Sequence, residues 1–199
     1  MHCINLNKIK IVLYDGNQDV SEFDCGHEDI NEFLYENAHE QNKFMLNSTY
    51  LAYFDKKIIG FFTILTDSIK IKELGNEYHE KFKNKNMVYD AYPAIKIGRL
   101  GVHKNFLNQG IGTYLLQWIF FFCIELSKDI GLRFITINAY ILVYEFYKKN
   151  FYEDVYHEKR LEKEFKKYLK AQKRDNNRAK KMTIPLFFDL YDNNKLFFD

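Results

Sequence analysis

The chain has 199 residues, 47% of them hydrophobic and 28% charged, with a net charge of +2; 2 Pro and 9 Gly complete a composition that excludes a disordered, collagen-like or low-complexity chain. The longest apolar run, Trp118 to Ile124, is far shorter than the roughly 20 residues that cross a bilayer, and Met1 to Lys10 carries no apolar signal, so a cytoplasmic protein without membrane association is expected. Cys3, Cys25 and Cys123 lack paired spacing and no two histidines stand three or four apart, which points to neither a disulfide framework nor a metal site.

Lys8 to Tyr14 alternates apolar and polar residues and predicts a first strand. After the turn-rich stretch Asp15 to Gly26, Asp29 or Asn31 is expected to cap a helix running to about Asn42, with Ile30, Phe33, Leu34 and Ala38 on one face. Thr49 to Phe54 and Ile58 to Leu65 read as a hairpin around Asp55-Lys56-Lys57. Thr66 to Tyr92 reads as a charged, substrate-shaping connection with a short helix near Glu77 to Lys83. Ala94 to Val102 predicts a strand, His103 to Gln109 a polar turn, and Ile111 to about Lys128 a long helix with Leu115, Leu116, Ile119 and Phe120 inward. Leu132 to Asn138 predicts a strand, Val143 to Asn150 a short helix and Phe151 to Val155 another strand. His157 to about Lys173 reads as a basic helix with an apolar stripe of Leu161, Phe165, Tyr168 and Leu169. Thr183 to Leu190 predicts a last strand, which Pro185 places at an edge or a bulge. The order predicts a mixed α/β fold: a central twisted mixed sheet of about six to seven strands, flanked by helices.

Charge is unevenly placed. From His157 to Met182, eleven Lys and Arg face four acids, while the rest of the chain is net acidic. Two readings follow: a solvated helix face, or a surface for an anionic partner such as RNA.

Chemistry concentrates between Leu100 and Tyr114. A strand ends at Leu100-Gly101-Val102, and the turn Leu107-Asn108-Gln109-Gly110 opens a helix at Ile111-Gly112-Thr113-Tyr114. Glycine there admits a ligand close to the backbone, and the free amides and dipole of a helix N-terminus favour an anion. The stretch is neither a Walker loop, lacking Gly-Lys-Ser/Thr, nor a dinucleotide fingerprint, lacking the third glycine.

Strand, glycine turn and helix, followed by Asn138-Ala139 and Phe146-Tyr147-Lys148-Lys149-Asn150-Phe151, resemble the GNAT N-acetyltransferases. Phe23-Asp24-Cys25-Gly26, Ile30-Asn31-Glu32-Phe33-Leu34 and Ile97-Gly98-Arg99-Leu100-Gly101-Val102 are similar to motifs of the TacT-like toxin branch, which acetylates aminoacyl-tRNA. The resemblance spans Lys8 to Leu190 and implies one GNAT domain over residues 1–199, with a basic helical insertion at about 157–181.

It implies acetyl-CoA as co-substrate and no metal. Leu100, Gly101 and Val102 would supply a backbone amide to the thioester carbonyl. Leu107 to Tyr114 would hold the pyrophosphate, and Asn138 would join the cofactor site. Tyr147 would protonate the leaving thiolate. The acceptor implied is a primary amine, that of aminoacyl-tRNA or alternatively of a small molecule or a protein; a binding module without catalysis is the reading of another class. A ribbon-helix-helix antitoxin and a homodimer are further partners that the resemblance suggests. Leu107 stands where the family prefers Gln or Arg, which predicts a weaker hold on the cofactor. Asn150 is read as the replacement of the family's turn glycine, taking its left-handed backbone. No base stands out among Asp67, Asp90, Glu145 and His103, and Cys25 reads as a small buried hydrophobe rather than a nucleophile.

Overall fold

Among the described residues there are seven strands, all but the short acidic β6 formed where side chains alternate or run apolar: β1 (Lys10–Leu13), β2 (Ser48–Phe54), β3 (Lys57–Lys70), β4 (Ala91–Val102), β5 (Phe134–Tyr140), β6 (Glu153–Asp154) and β7 (Thr183–Asp189). In the computed structural model, which describes residues 4–193, they form one mixed sheet in the order β1-β2-β3-β4-β5-β7-β6. The pairs β1–β2, β2–β3, β5–β7 and β6–β7 are antiparallel. The flanking helices are α1 (Glu28–Glu32), α2 (Ala38–Lys43), α3 (Asn76–Lys83), α4 (Ile111–Leu126), α5 (Tyr144–Lys149), α6 (Glu158–Arg174) and α7 (Asn176–Lys180). The mixed α/β expectation holds.

The chain divides into two compact units. One comprises the chain up to Thr66 with Ile97–Phe122. Its core is Leu34, Leu51, Ile59 and Phe61 with Ile111, Leu115 and Ile119, one residue per turn along α4. That i, i+4, i+8 spacing gives α4 a single buried stripe, and each fully buried aliphatic side chain contributes about 1.5–3 kcal/mol. The other unit comprises Asp67–Lys96 and the chain from Cys123 onward. Tyr78 and Phe82 of α3 pack there with Tyr92, Phe134 and Phe187, and Phe82 stacks on Tyr92 at 4.2 Å.

Several boundaries differ from the sequence reading. β3 runs on to Lys70 and β4 starts at Ala91, so the connection is shorter than Thr66 to Tyr92. The charged end of β3 is a strand because Ile69 is buried between exposed Ser68 and Lys70, the alternation of a half-buried strand. The first helix is capped by neither Asp29 nor Asn31. His27 is the extended residue before it, and a π turn, Phe33–Asn37, joins α1 to α2. Asn31 is engaged elsewhere, bonding Asp24 and Cys25.

Pro185 lies on no edge strand, since β7 stands between β5 and β6. The Val155 amide donates to the Pro185 carbonyl at 3.3 Å. The nitrogen and carbonyl of one strand residue point to the same side. The missing N–H therefore faces the side of β6, beyond its last pair, Asp154 with Leu186, and the ladder to β5 loses nothing.

The basic segment is helical, as expected. The His157 ring nitrogen caps α6 by accepting the Arg160 amide, and an Asp175 carboxylate oxygen caps α7 by accepting that of Arg178. The inward stripe differs by one residue: Leu161, Phe165, Tyr168 and Ala171 are half-buried, with Phe165 edge-on to Tyr144 at 5.1 Å, whereas Leu169 is 54% exposed. At 100° per residue Leu169 falls on the flank of that stripe.

Candidate active site

β4 delivers Leu100, Gly101 and Val102 to its C-terminal end, where a 3-10 turn, Lys104–Phe106, leads into the glycine turn. Gly110 adopts φ +80°, a left-handed conformation that strains any residue with a Cβ. Space is not the reason for glycine, because a Cβ there would meet only Leu6, at 3.8 Å. Asn108 is also left-handed, at φ +60°, so the turn folds back sharply into α4. The first helical bond runs from the Tyr114 amide to the Gly110 carbonyl. Ile111, Gly112 and Thr113 thus lead with amides that no helical carbonyl accepts. Beside them the Gln109 side-chain oxygen is buried without a partner, and Leu107 is 50% exposed.

Gly101 is glycine for a different reason. A Cβ there would lie 3.0 Å from Phe61, 3.1 Å from Ile30 and 3.4 Å from Phe23. The Phe23-Asp24-Cys25-Gly26 loop packs against this strand end and braces the turn that follows. The Lys104 amide donates to the Asp24 carbonyl at 2.7 Å, and the Lys104 ammonium contacts the Asp24 carboxylate at 2.7 Å. The same carboxylate accepts the Gly26 amide at 2.7 Å and the Asn31 side chain at 2.8 Å. Lys104 and these donors hold the Asp24 carboxyl well below the usual carboxylate range. Phe23 meets the edge of Phe61 at 5.3 Å and His103 at 5.8 Å. This brace was missed in the sequence because Asp24 and Lys104 are 80 positions apart and no short-range pattern links them.

The Arg99 guanidinium donates to its neighbour's carbonyl, Gly98, at 2.8 Å and lies 5.2 Å over the Phe33 ring, with Nε buried and unpartnered.

In the second unit, Asn138 is an exposed residue of β5, and Tyr147 is a buried residue of α5. The Tyr147 ring packs edge-on to Phe146 at 5.0 Å and Tyr152 at 5.5 Å. Burial pushes its phenol well above the ordinary tyrosine value, so it stays protonated at neutral pH. α5 ends in a Schellman motif: the Tyr152 amide donates to the Tyr147 carbonyl and the Phe151 amide to that of Lys148. The left-handed residue is Phe151, at φ +65°, and not Asn150, whose φ is −102°. Asn150 instead donates its side-chain amide to the Phe146 carbonyl at 2.7 Å. The position that a glycine would suit is thus Phe151, one residue later than the sequence reading placed it.

Among the candidate bases, Asp67 accepts the Thr136 hydroxyl at 2.5 Å. Cys25 is half-buried with its thiol donating to Asn31 at 3.1 Å, and burial pushes its pKa up, which fits an inert thiol. Among the described residues no group of three or more His, Cys, Asp or Glu could hold a metal ion, and no helix is long and apolar enough to cross a membrane.

Residues 14–151 match the family model of the acetyltransferase (GNAT) family. Similar solved structures include a tyrosine-to-phenylalanine mutant of KacT, with 20% identity and a TM-score of 0.74 over 96% of this chain and 99% of that one. AtaT complexed with acetyl-methionyl-tRNAfMet is 19% identical, with a TM-score of 0.73 over 95% of this chain and 99% of that one. AtaTR bound with acetyl-CoA is 20% identical, with a TM-score of 0.70 over 96% and 99%. The glycine turn at the head of α4 and the Phe-Tyr pair of α5 thus sit in a fold shared along nearly the whole chain, and the family match identifies the protein as a member of the GNAT acetyltransferases.

Proposed function

We propose that the protein transfers the acetyl group of acetyl-CoA to the amino group of aminoacyl-tRNA, acting as a toxin paired with an antitoxin. One observation carries the acceptor: the full-length likeness to AtaT, whose structure contains acetyl-methionyl-tRNAfMet. AtaT is also described as a toxin bound to the C-terminus of the antitoxin AtaR. The basic segment supports an RNA partner, and such an acceptor belongs in the cytoplasm. In this reading the whole chain is one acetyltransferase domain, with α6 and α7 as a basic insertion.

The residues present fit acetyl-CoA. The left-handed Gly110, the leading amides of α4 and the orphaned Gln109 side chain form a cradle for a diphosphate; a half-turn of the carboxamide presents its nitrogen as a donor. Leu107 offers no donor, so the cradle rests on the backbone and Gln109. Acetyl-CoA supplies the activated thioester. The backbone at Leu100, Gly101 and Val102 would polarise the carbonyl. Tyr147 would give its phenolic proton to the departing thiolate, and its buried, protonated state keeps that donor in place. Asn138 would line the cofactor site. No base is required of the protein, because α-amino groups have pKa near 7.7–8.0 and are substantially neutral at pH 7–8.

The low net charge of +2 favours a second reading, in which the acceptor is a small or protein amine. The purified protein, given acetyl-CoA with separate pools of aminoacyl-tRNA, polyamines and peptides, should acetylate aminoacyl-tRNA. Tyr147→Phe should lower turnover by about 10²-fold or more with acetyl-CoA affinity retained. Transfer to polyamines or peptides and none to aminoacyl-tRNA would establish the second reading instead.

A further inference from the structure

The solvent face of α6 carries a ridge of cations. Lys159, Lys163, Lys166, Lys170 and Lys173 follow at i, i+4, i+7, i+11 and i+14, with Arg174 beside the last. At 100° and 1.5 Å per residue they fall within an arc of about 100° and run for about 22 Å. All six are exposed, and they lie opposite the half-buried stripe that seats α6 on its unit. The helix has caps at both ends and neither Gly nor Pro inside it, so the ridge is a rigid row.

A face that served only solvation would interleave the two signs. Among the described residues, only Lys166 along this ridge has an acidic partner, Glu162 at 3.4 Å. The other pair of the helix, Lys167 with Glu164 at 2.7 Å, lies to one side. Among the described residues Lys159, Lys163, Lys170, Lys173 and Arg174 make no ion pair. Like charges at i+3 and i+4 repel one another, by a few tenths of a kcal/mol per pair. A regular polyanion removes that repulsion, and nucleic acid is one, carrying about one charge per 1.7 Å of duplex axis. A helix lying on a membrane would turn its apolar face to the lipid. Here Phe165 of that face is spent on Tyr144.

We propose that this ridge docks the phosphate backbone of the tRNA acceptor, without reading its sequence. The inference rests on the aminoacyl-tRNA reading above and assigns a surface to it.

The test uses the full chain and deacylated bulk tRNA, with affinity measured between 50 and 200 mM salt. Lys163→Gln, Lys170→Gln and Lys173→Gln combined should flatten the slope of log affinity against log salt by about 2–3 units, at roughly 0.7–0.9 per lost phosphate contact. Gln keeps the helix propensity of Lys, so acetyl-CoA affinity and circular dichroism should stay at wild type. The triple Lys→Arg variant should retain the wild-type slope. A wild-type slope in the Gln variant, with aminoacyl-tRNA still acetylated, would overturn the ridge and leave the acceptor reading standing. Failure of the wild type both to bind tRNA and to acetylate aminoacyl-tRNA would overturn both. Wild-type binding to phosphatidylserine vesicles but not to tRNA would make the ridge a membrane surface and overturn the proposal.

Discussion

Phe151 holds a left-handed backbone at φ +65° with its side chain 56% exposed. That conformation costs a non-glycine residue about 1–2 kcal/mol, while glycine loses about 0.5–1 kcal/mol more chain entropy on folding. Phe151→Gly is therefore expected to stabilise the protein slightly, by about 0.5–1 kcal/mol, read as a higher urea midpoint; a β-branched Val there should lower it. The opposite logic governs Gly110. Gly110→Asp adds strain at φ +80° and a negative charge beside the leading amides of α4. Acetyl-CoA binding by calorimetry should be abolished while the folded state persists, because a Cβ has room there. Unchanged affinity would remove the phosphate cradle from this turn. At this scale the sequence showed where the glycine turn falls. It did not show that Asn150 would serve as a side-chain cap and leave the left-handed position to Phe151, because a one-residue shift in a helix end follows from which carbonyls find donors.

The elements around the β4–α4 turn depend on a brace from a distant loop. Asp24 holds the Lys104 ammonium and the Gly26 amide, and its pKa is lowered by them. A carboxylate depressed in the folded state adds stability above its unfolded pKa, about 3.9, and that stability is lost as pH falls through the folded value. Asp24→Asn should lower the urea midpoint at pH 7 and converge on wild type as pH is taken below about 3.9. A difference that stayed constant down to pH 3 would mean that the carboxylate's charge is not what holds the loop. Helix α4 itself was legible, since its apolar residues recur at helical spacing. Its brace was not, because an ion pair between residues 24 and 104 exists only once the chain has folded.

Across the whole molecule, burial decides which charges matter. Asp189 at the end of β7 is fully buried, and the Arg133 guanidinium contacts it at 2.7 Å while lying 4.6 Å over the Tyr191 ring. The Asp189 carboxylate also accepts the amides of Tyr191 and Asp192. Arg133→Met would leave that carboxylate buried without its cation and should cost about 3 kcal/mol or more, seen in the denaturation midpoint by circular dichroism; Asp189→Asn made together with it should recover part of the loss. A cost under about 1 kcal/mol would show the pair to be solvated in practice. The sequence by itself determined the strand and helix order, the glycine turn, the Phe-Tyr pair and the uneven charge, because these are local periodicities, spacings and sums. The tertiary structure decided the extension of β3 to Lys70, the interior place of β7, the Asp24–Lys104 brace, the Arg133–Asp189 pair and the outward turn of Leu169. Each of these depends on which surfaces meet, and burial, which sets the worth of a charge or an apolar side chain, is a property of the packed chain rather than of any stretch of it.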